Sequence, residues 1–347
     1  MFKAVAGYYK DNERLRLLVK IIAVWLISRA VMLLMVPVMN LIADEPHQWL
    51  YYMNPWDAEW YKGIVENGYQ PPKSSGMASW AFFPLYPLVC MAVRLVTMGS
   101  IDTYAVGMTV SNICIIIAVY YAVKYADIEL DMKKYNKKTV EDIIIFLMLA
   151  GPFAVYYGAM YTEALFILCV ILCFYNSARH NYMAAGIAAA MASATRIVGC
   201  MLVFVLITYM FMEACAECRA KHNSEMKDNK EAGIIDKYML TDEAGIMLAG
   251  NISLASVIRT FIKNVIKEPK KLVAIMISPL GIFIYMNYLR YLCGDSWAFY
   301  HVQRAWRTQK MFPVIGVLFK SCYDPVEYEK AMAWTREHCM CNEGEDI

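Results

Sequence analysis

The sequence predicts an all-α, polytopic membrane protein, and three observations carry that reading. Of its 347 residues 59% are apolar and only 18% are charged, against the roughly 25% charged of a soluble globular chain. Seven apolar stretches, at residues 17–42, 104–126, 143–157, 162–178, 183–195, 197–212 and 272–292, approach the roughly 17 to 25 residues that a crossing helix needs. Basic residues gather in alternate connections, as the positive-inside rule asks of a spanning chain. A formal net charge of +2 points to neither nucleic acid nor an acidic polymer as partner.

The first stretch carries Arg29 and Pro37 and ends without a small-residue cleavage site, so it is expected to remain as a helix and not to act as a signal peptide. Residues 82–98 are apolar but broken by Pro84, Pro87 and Arg94. If they lie in the interface, the four basic residues before Leu17, the cluster Lys133, Lys134, Lys137 and Lys138, then Arg179 and the basic loop 219–271 all fall on the cytoplasmic side. The opposite side then receives 43–96, the tight turn 158–161, the junction at Arg196 and 293–310. Arg304, Arg307 and Lys310 run against the charge rule there, so either the topology fails late or those charges answer an anionic ligand. Within the cytoplasmic loop 213–271, KHNSEMKDNKEAG reads as flexible and 245–266 as an amphipathic surface helix.

Of eleven cysteines, Cys90, Cys114, Cys169, Cys173 and Cys200 lie in apolar runs, where a thiol behaves as a small hydrophobe. Cys215 and Cys218 with His222, or Cys339 and Cys341 with His338, lack the paired spacing of a zinc site. No metal and no cofactor is expected. Asp127, Glu129 and Asp131 precede four lysines and read as a solvated charged loop, and no glycine-rich phosphate cradle is present.

The loop after the first stretch holds the densest chemistry. Asn54 suits an N-cap and Pro55 the first helical position, which places Asp57 in a first turn, where an ionised carboxylate is favoured. Trp56, Trp60, Tyr61, Ile64 and Tyr69 would give an aromatic face at headgroup level, with Asp57 and Glu59 toward water. An ordinary interfacial helix with solvated acids fits the same residues. Tyr161, Thr162 and Glu163 occupy a turn between two apolar runs, where Thr162 also reads as a plain N-cap.

WDAEWYKGIVENGY with AFFPLYP, at 56–69 and 81–87, resembles the first-loop signature of the PIG-V-like mannosyltransferases, which make the second mannosyl transfer in glycosylphosphatidylinositol (GPI) anchor biosynthesis and have bacterial relatives. GPFAVYYGAMYTEALF, ASATRIVG and GDSWAFYHVQRAW are similar to later motifs of that family, in the same order, over about residues 17–313. The resemblance implies the GT-C type of polytopic glycosyltransferase, with a helical extracytoplasmic first loop. It implies a hexosyltransferase that moves mannose from a polyprenyl or dolichyl phosphate donor to a hydroxyl acceptor, by inversion and without metal.

Carried over residue by residue, Asp57 would be the base. Arg196 and His301 would meet the donor phosphate, and Glu59, Trp60, Glu163 and Gln303 would contact substrate. A membrane-buried Arg is costly unless paired, so Arg196 reads equally as a snorkelling cation or a partner of Glu163, and Arg29 as a packing ion. The implied organisation is a membrane-embedded domain over 1–320, with a catalytic loop 43–98, and a tail 321–347 short enough to suggest truncation against the family. The implied partners are a lipid-linked sugar, a glycolipid or other hydroxyl acceptor, and membrane lipids, in a bacterial plasma membrane or, for a eukaryotic protein, the endoplasmic reticulum. A lipid or polymer transporter and an inactive membrane scaffold share many of these features.

Overall fold

A computed structural model describes residues 12–42, 48–72, 76–231 and 253–306. The tail 321–347, Arg307, Lys310 and the Cys339 group lie outside the described residues. Every regular element among them is helical. In order they are α1 Glu13–Ile42, α2 Trp49–Met53, α3 Ala58–Asn67, α4 Leu85–Val96, α5 Thr103–Glu129, α6 Lys137–Leu149, α7 Glu163–Ala178 and α8 Tyr182–Ser193. There follow α9 Leu202–Glu231, α10 Leu254–Lys267, α11 Pro269–Ile277, α12 Leu280–Cys293 and α13 Ala298–His301. Short 3-10 turns lie at Ser79–Ala81, Pro152–Val155, Ile197–Met201 and Val302–Trp306.

Helix starts follow local chemistry where a cap is present. Asp102 accepts from the amides of Tyr104 and Ala105 at the head of α5, and Asn136 accepts from those of Lys138 and Thr139 at the head of α6, which satisfies donors that a helix leaves unpaired. Among the described residues three helices are long and apolar enough to cross a membrane: α1, α5, and α9 taken with its preceding 3-10 turn. The pair α11 and α12, bent by 43°, makes a fourth if it counts as one span; the break falls at Ser278 and Pro279, where proline supplies no amide to continue the ladder.

Three expectations change. The stretch 143–157 is not one helix, because α6 ends at Leu149 and Gly151 and Pro152 open a 3-10 turn instead. The segment expected to be flexible after Lys221 stays helical to Glu231, since Lys, Glu and Met propagate a helix already nucleated by an apolar span. The surface helix begins at Leu254, while 245–252 lie outside the described residues.

The core is built around α8, an alanine-rich helix flanked by α7, α9, α11 and α12. Small residues let backbones approach where lipid provides no hydrophobic drive between helices. Gly281 shows how close: a Cβ there would stand 2.3 Å from the Ala190 carbonyl oxygen. Gly281→Val is therefore expected to force α12 off α8, cost about 1–3 kcal/mol, and lower the melting midpoint of the detergent-purified protein; an unchanged midpoint would show that the contact is loose.

Charge sorts the two ends of the bundle. At one end Lys20 meets Glu141 at 3.8 Å, Lys137 pairs with Glu13 and meets Asp127 at 3.5 Å, and the buried Lys271 lies 3.1 Å from Glu213. The Asp127 group is thus engaged by local cations, with Glu129 accepting from Tyr209 at 2.6 Å. The other end, called the loop end below, collects α3, α4, the turn after α6, the junction after α8, and α13. Leu85 N–H donates to the Ala194 carbonyl at 3.0 Å, and Phe299 meets Phe83 with ring centroids 5.4 Å apart. The segments that the charge rule assigned to one side of the membrane are therefore neighbours.

The loop end is not flat. With 13 residues α6 is about 20 Å long, against a hydrocarbon layer of about 30 Å, so the polar turn that follows starts within the bundle. Arg29 contacts that turn about 14 Å along α1 from the Lys20 level, and α1 runs about 20 Å further to Ile42. The turn, α1, α3 and the loop end of α5 meet here, and this meeting place is called the recess below.

Candidate functional site

Asp57 sits in this recess by a different local structure from the one expected. Asn54 caps the end of α2 rather than the start of α3, and α3 begins at Ala58 with Asp57 in the N-cap position, its side chain free of any capping bond. The reason is a long-range competition for Asn54. Its Oδ1 accepts from the Met160 amide at 2.7 Å and its Nδ2 donates to the Leu50 carbonyl at 2.8 Å, so the buried side chain is committed to the turn after α6.

Tyr161 completes that junction. Its hydroxyl donates to the Pro55 carbonyl at 2.5 Å and accepts from the Asp57 amide at 3.2 Å. One phenol thus bridges the peptide groups on both sides of Trp56, which adopts a positive φ of 51°. Tyr161→Phe is expected to lose about 1–2 kcal/mol of stability and roughly tenfold in turnover, read by thermal melt and transfer rate; loss of stability with full turnover would show that Asp57 does not depend on the clamp.

Beyond Tyr161, Glu163 opens α7 and Arg196 precedes the 3-10 turn after α8. Arg196 Nη1 donates to Glu163 Oε1 at 2.6 Å, so the pairing that the sequence left open is present. Both groups act electrostatically on Asp57. Crowding by protein in the recess pushes the Asp57 carboxyl above its ordinary value, Glu163 adds to the rise, and Arg196 opposes it. Burial works against the charge of Arg196, but Glu163 outweighs it and holds the guanidinium above its ordinary value. The Tyr61 hydroxyl lies 3.4 Å from Thr162 Oγ1 and is kept protonated by burial. Thr162 stands at the N-cap of α7 without a side-chain capping bond.

Asp57, Glu163 and Arg196 are therefore brought together; the other candidates are not. Glu59 is exposed and accepts from Tyr104 on α5. Trp60 stacks on Phe82 with centroids 5.7 Å apart and an interplanar angle of 16°, a packing role. His301 is drawn to Asp295, Nδ1 to Oδ2 at 2.6 Å, and this contact lowers the Asp295 carboxyl. Gln303 belongs to the last described turn, which packs on Ser79–Ala81.

Sequence reasoning named Arg29 as a packing ion but missed its partners behind the turn. Arg29 donates through Nε to Asn112 Oδ1 and through Nη1 to the Ala154 carbonyl, both at 2.9 Å. Asn112 also accepts from Trp25 Nε1 at 2.7 Å and donates to the Gly158 carbonyl at 3.3 Å. A Cβ at Gly158 would stand 2.6 Å from Arg29 Nη1, so a larger residue there would displace the guanidinium from this approach. The signal available was an Asn inside the apolar run TVSNICIII, a residue that needs a partner in a membrane.

Beside the recess, α3, α4 and α12 enclose a cleft of about 290 Å³ lined by Ile64, Tyr69, Pro87, Leu88, Met91 and Tyr288 among others. It adjoins the start of α4, whose Leu85 is tied to Ala194 two residues before Arg196. A charged recess with a carboxylate and a guanidinium, opening beside an almost wholly apolar cleft, suits an amphiphile with an anionic head.

Comparison with known proteins fits this arrangement. No curated protein and no solved structure matches the chain. The family model described as Mannosyltransferase (PIG-V) matches residues 15–230, more than half of the chain and inclusive of Asp57, Glu163 and Arg196. The chain thus belongs to the Mannosyltransferase (PIG-V) family, and is a membrane glycosyltransferase.

Proposed function

We propose that this protein transfers mannose from a polyprenyl or dolichyl phosphate to a hydroxyl acceptor, with inversion at the anomeric carbon and no metal ion. The observation that carries the reading is the convergence of Asp57 and Arg196 on one recess beside the apolar cleft. The acceptor oxygen attacks the anomeric carbon as its proton passes to Asp57, and the bond from that carbon to the phosphate oxygen breaks. A carboxylate of raised pKa is the stronger base for this step while it stays ionised at the working pH.

The phosphate leaves with negative charge, which Arg196 stabilises. A guanidinium carries five N–H donors, so Arg196 can keep Glu163 and still meet a phosphate oxygen. Arg196 is exposed in the free protein, and a donor held in place by Glu163 acts mainly on the transition state once bound substrate covers it. The lipid chain of the donor would lie in the cleft between α3, α4 and α12, and the acceptor would be a GPI-type glycolipid or an envelope glycan, in whichever membrane the chain occupies.

The test is transfer of labelled mannose from polyprenyl phosphate to a cell-envelope lipid extract by the nanodisc-held protein, with and without chelator. Transfer that survives chelator supports the reading. Transfer that requires an added divalent ion would overturn the metal-independent mechanism, and labelled product with a nucleotide sugar alone would overturn the donor.

A further inference from the structure

Trp56 is in a costly place. Its φ of 51° lies in the left-handed region, where a bulky side chain is a genuine outlier. Nothing in packing repays that conformation, because the side chain is 72% exposed. Among the described residues its indole makes no hydrogen bond and no ring contact. What maintains the bend is the Tyr161 hydroxyl on either side of it and the commitment of Asn54 to Met160. Glycine would meet the same backbone requirement without strain.

A conformation that glycine would adopt freely is thus occupied by the largest side chain, held outward, one residue before the candidate base. Strained residues of this kind persist where surrounding structure over-determines them, commonly at ligand sites.

We infer that Trp56 is an acceptor-binding residue: its exposed indole is the platform on which the apolar face of a pyranose ring rests, so that a hydroxyl of that ring reaches Asp57. This rests on the proposed transferase function and adds a residue to it. The acceptor is then recognised as a ring, by its C–H face, and an acyclic polyol such as glycerol presents no such face.

The test uses the full chain in nanodiscs with Trp56→Gly, Trp56→Ala and Trp56→Phe. Intrinsic fluorescence is titrated with methyl mannoside, glucoside and glucosaminide pyranosides and with glycerol, and wild type minus Trp56→Phe isolates the response of Trp56. A saturable difference with at least one pyranoside, and none with glycerol, is expected. No difference with any pyranoside, or the same difference with glycerol, overturns the platform without reference to transfer.

In transfer assays with the responding pyranoside, KM should rise roughly tenfold in the Gly and Ala variants and less in Phe, with the smaller part of the loss in kcat. Equal KM in Trp56→Gly and wild type overturns the inference, as does a loss confined to kcat, which would mean that Trp56 only shapes the backbone at Asp57. Trp56→Gly should also melt above Trp56→Ala, since only glycine relieves the strain; the reverse order would remove the structural argument. A fluorescence response without any transfer by wild type would sink the proposed function and leave the sugar platform standing.

Discussion

Asp57→Asn is expected to abolish mannosyl transfer, by about 10²- to 10⁴-fold, while leaving the protein as stable as the parent or more so. The first half follows from the base role. The second follows from the direction of the Asp57 shift, which is upward in the folded protein through crowding, reinforced by Glu163. A carboxyl whose folded pKa exceeds its unfolded one favours the protonated native state. Its contribution to stability is present below the unfolded pKa and is lost as pH rises through the folded pKa. Asparagine does not titrate, so the variant should gain on wild type between acid and neutral pH. Thermal melts across that range, with transfer at neutral pH, read both halves. Full transfer by a folded Asp57→Asn protein would end the base assignment, and a variant that loses ground on wild type as pH rises would mean that Asp57 is stabilised by an ion pair instead.

The second large effect is at Arg196. Arg196→Ala should lower turnover by about 10²- to 10³-fold, the scale of losing one fixed donor at a developing charge. Arg196→Lys should recover only part, because an ammonium lacks the planar fork that engages Glu163 and phosphate together. The pH dependence supplies an independent check. Glu163 raises the Asp57 carboxyl and Arg196 lowers it, so Glu163→Gln should move the acid limb of the rate profile to lower pH. Arg196→Ala should move the limb of its residual activity to higher pH, with Glu163 then left uncompensated. Shifts in the same direction for the two variants would show that the three groups do not share one electrostatic site.

A polar turn that closes a helix only about 20 Å long lies below the tips of its neighbours, with Asp57 and Arg196 on its exposed face. The same depth explains the Arg29 and Asn112 network. Carbonyls of Ala154 and Gly158 in such a position need donors from the protein, and Arg29 and Asn112 supply them.

Hydropathy found the three spanning candidates and the bent pair, because an apolar run of sufficient length has few alternatives in water or lipid, but it also counted 162–178 and 183–195, whose helices of 16 and 12 residues are shorter than a span. It overestimated the helix after Asp142, since composition does not register that Gly151 and Pro152 open a turn while the surrounding residues remain apolar. The candidate site was legible in part. Asp57, Glu163 and Arg196 stand in motifs that resemble one family, but Glu59, Trp60 and His301 stand in the same motifs and are engaged elsewhere. Residue type and order do not distinguish a side chain facing the recess from one turned to Tyr104, Phe82 or Asp295.

By itself, then, the sequence determined the all-helical membrane fold, the segregation of basic residues to one end, and the segments in which the site would lie, because each depends on local composition and on the side a segment occupies. Tertiary structure alone decided that Asn54 leaves its helix to hold Met160, that Tyr161 clamps both peptide groups around Trp56, and that Glu163 takes Arg196. Those outcomes depend on contacts across 33 to 106 residues of chain. A side chain with two available partners takes the one whose geometry the assembled bundle fixes, and that geometry exists only after the helices have packed.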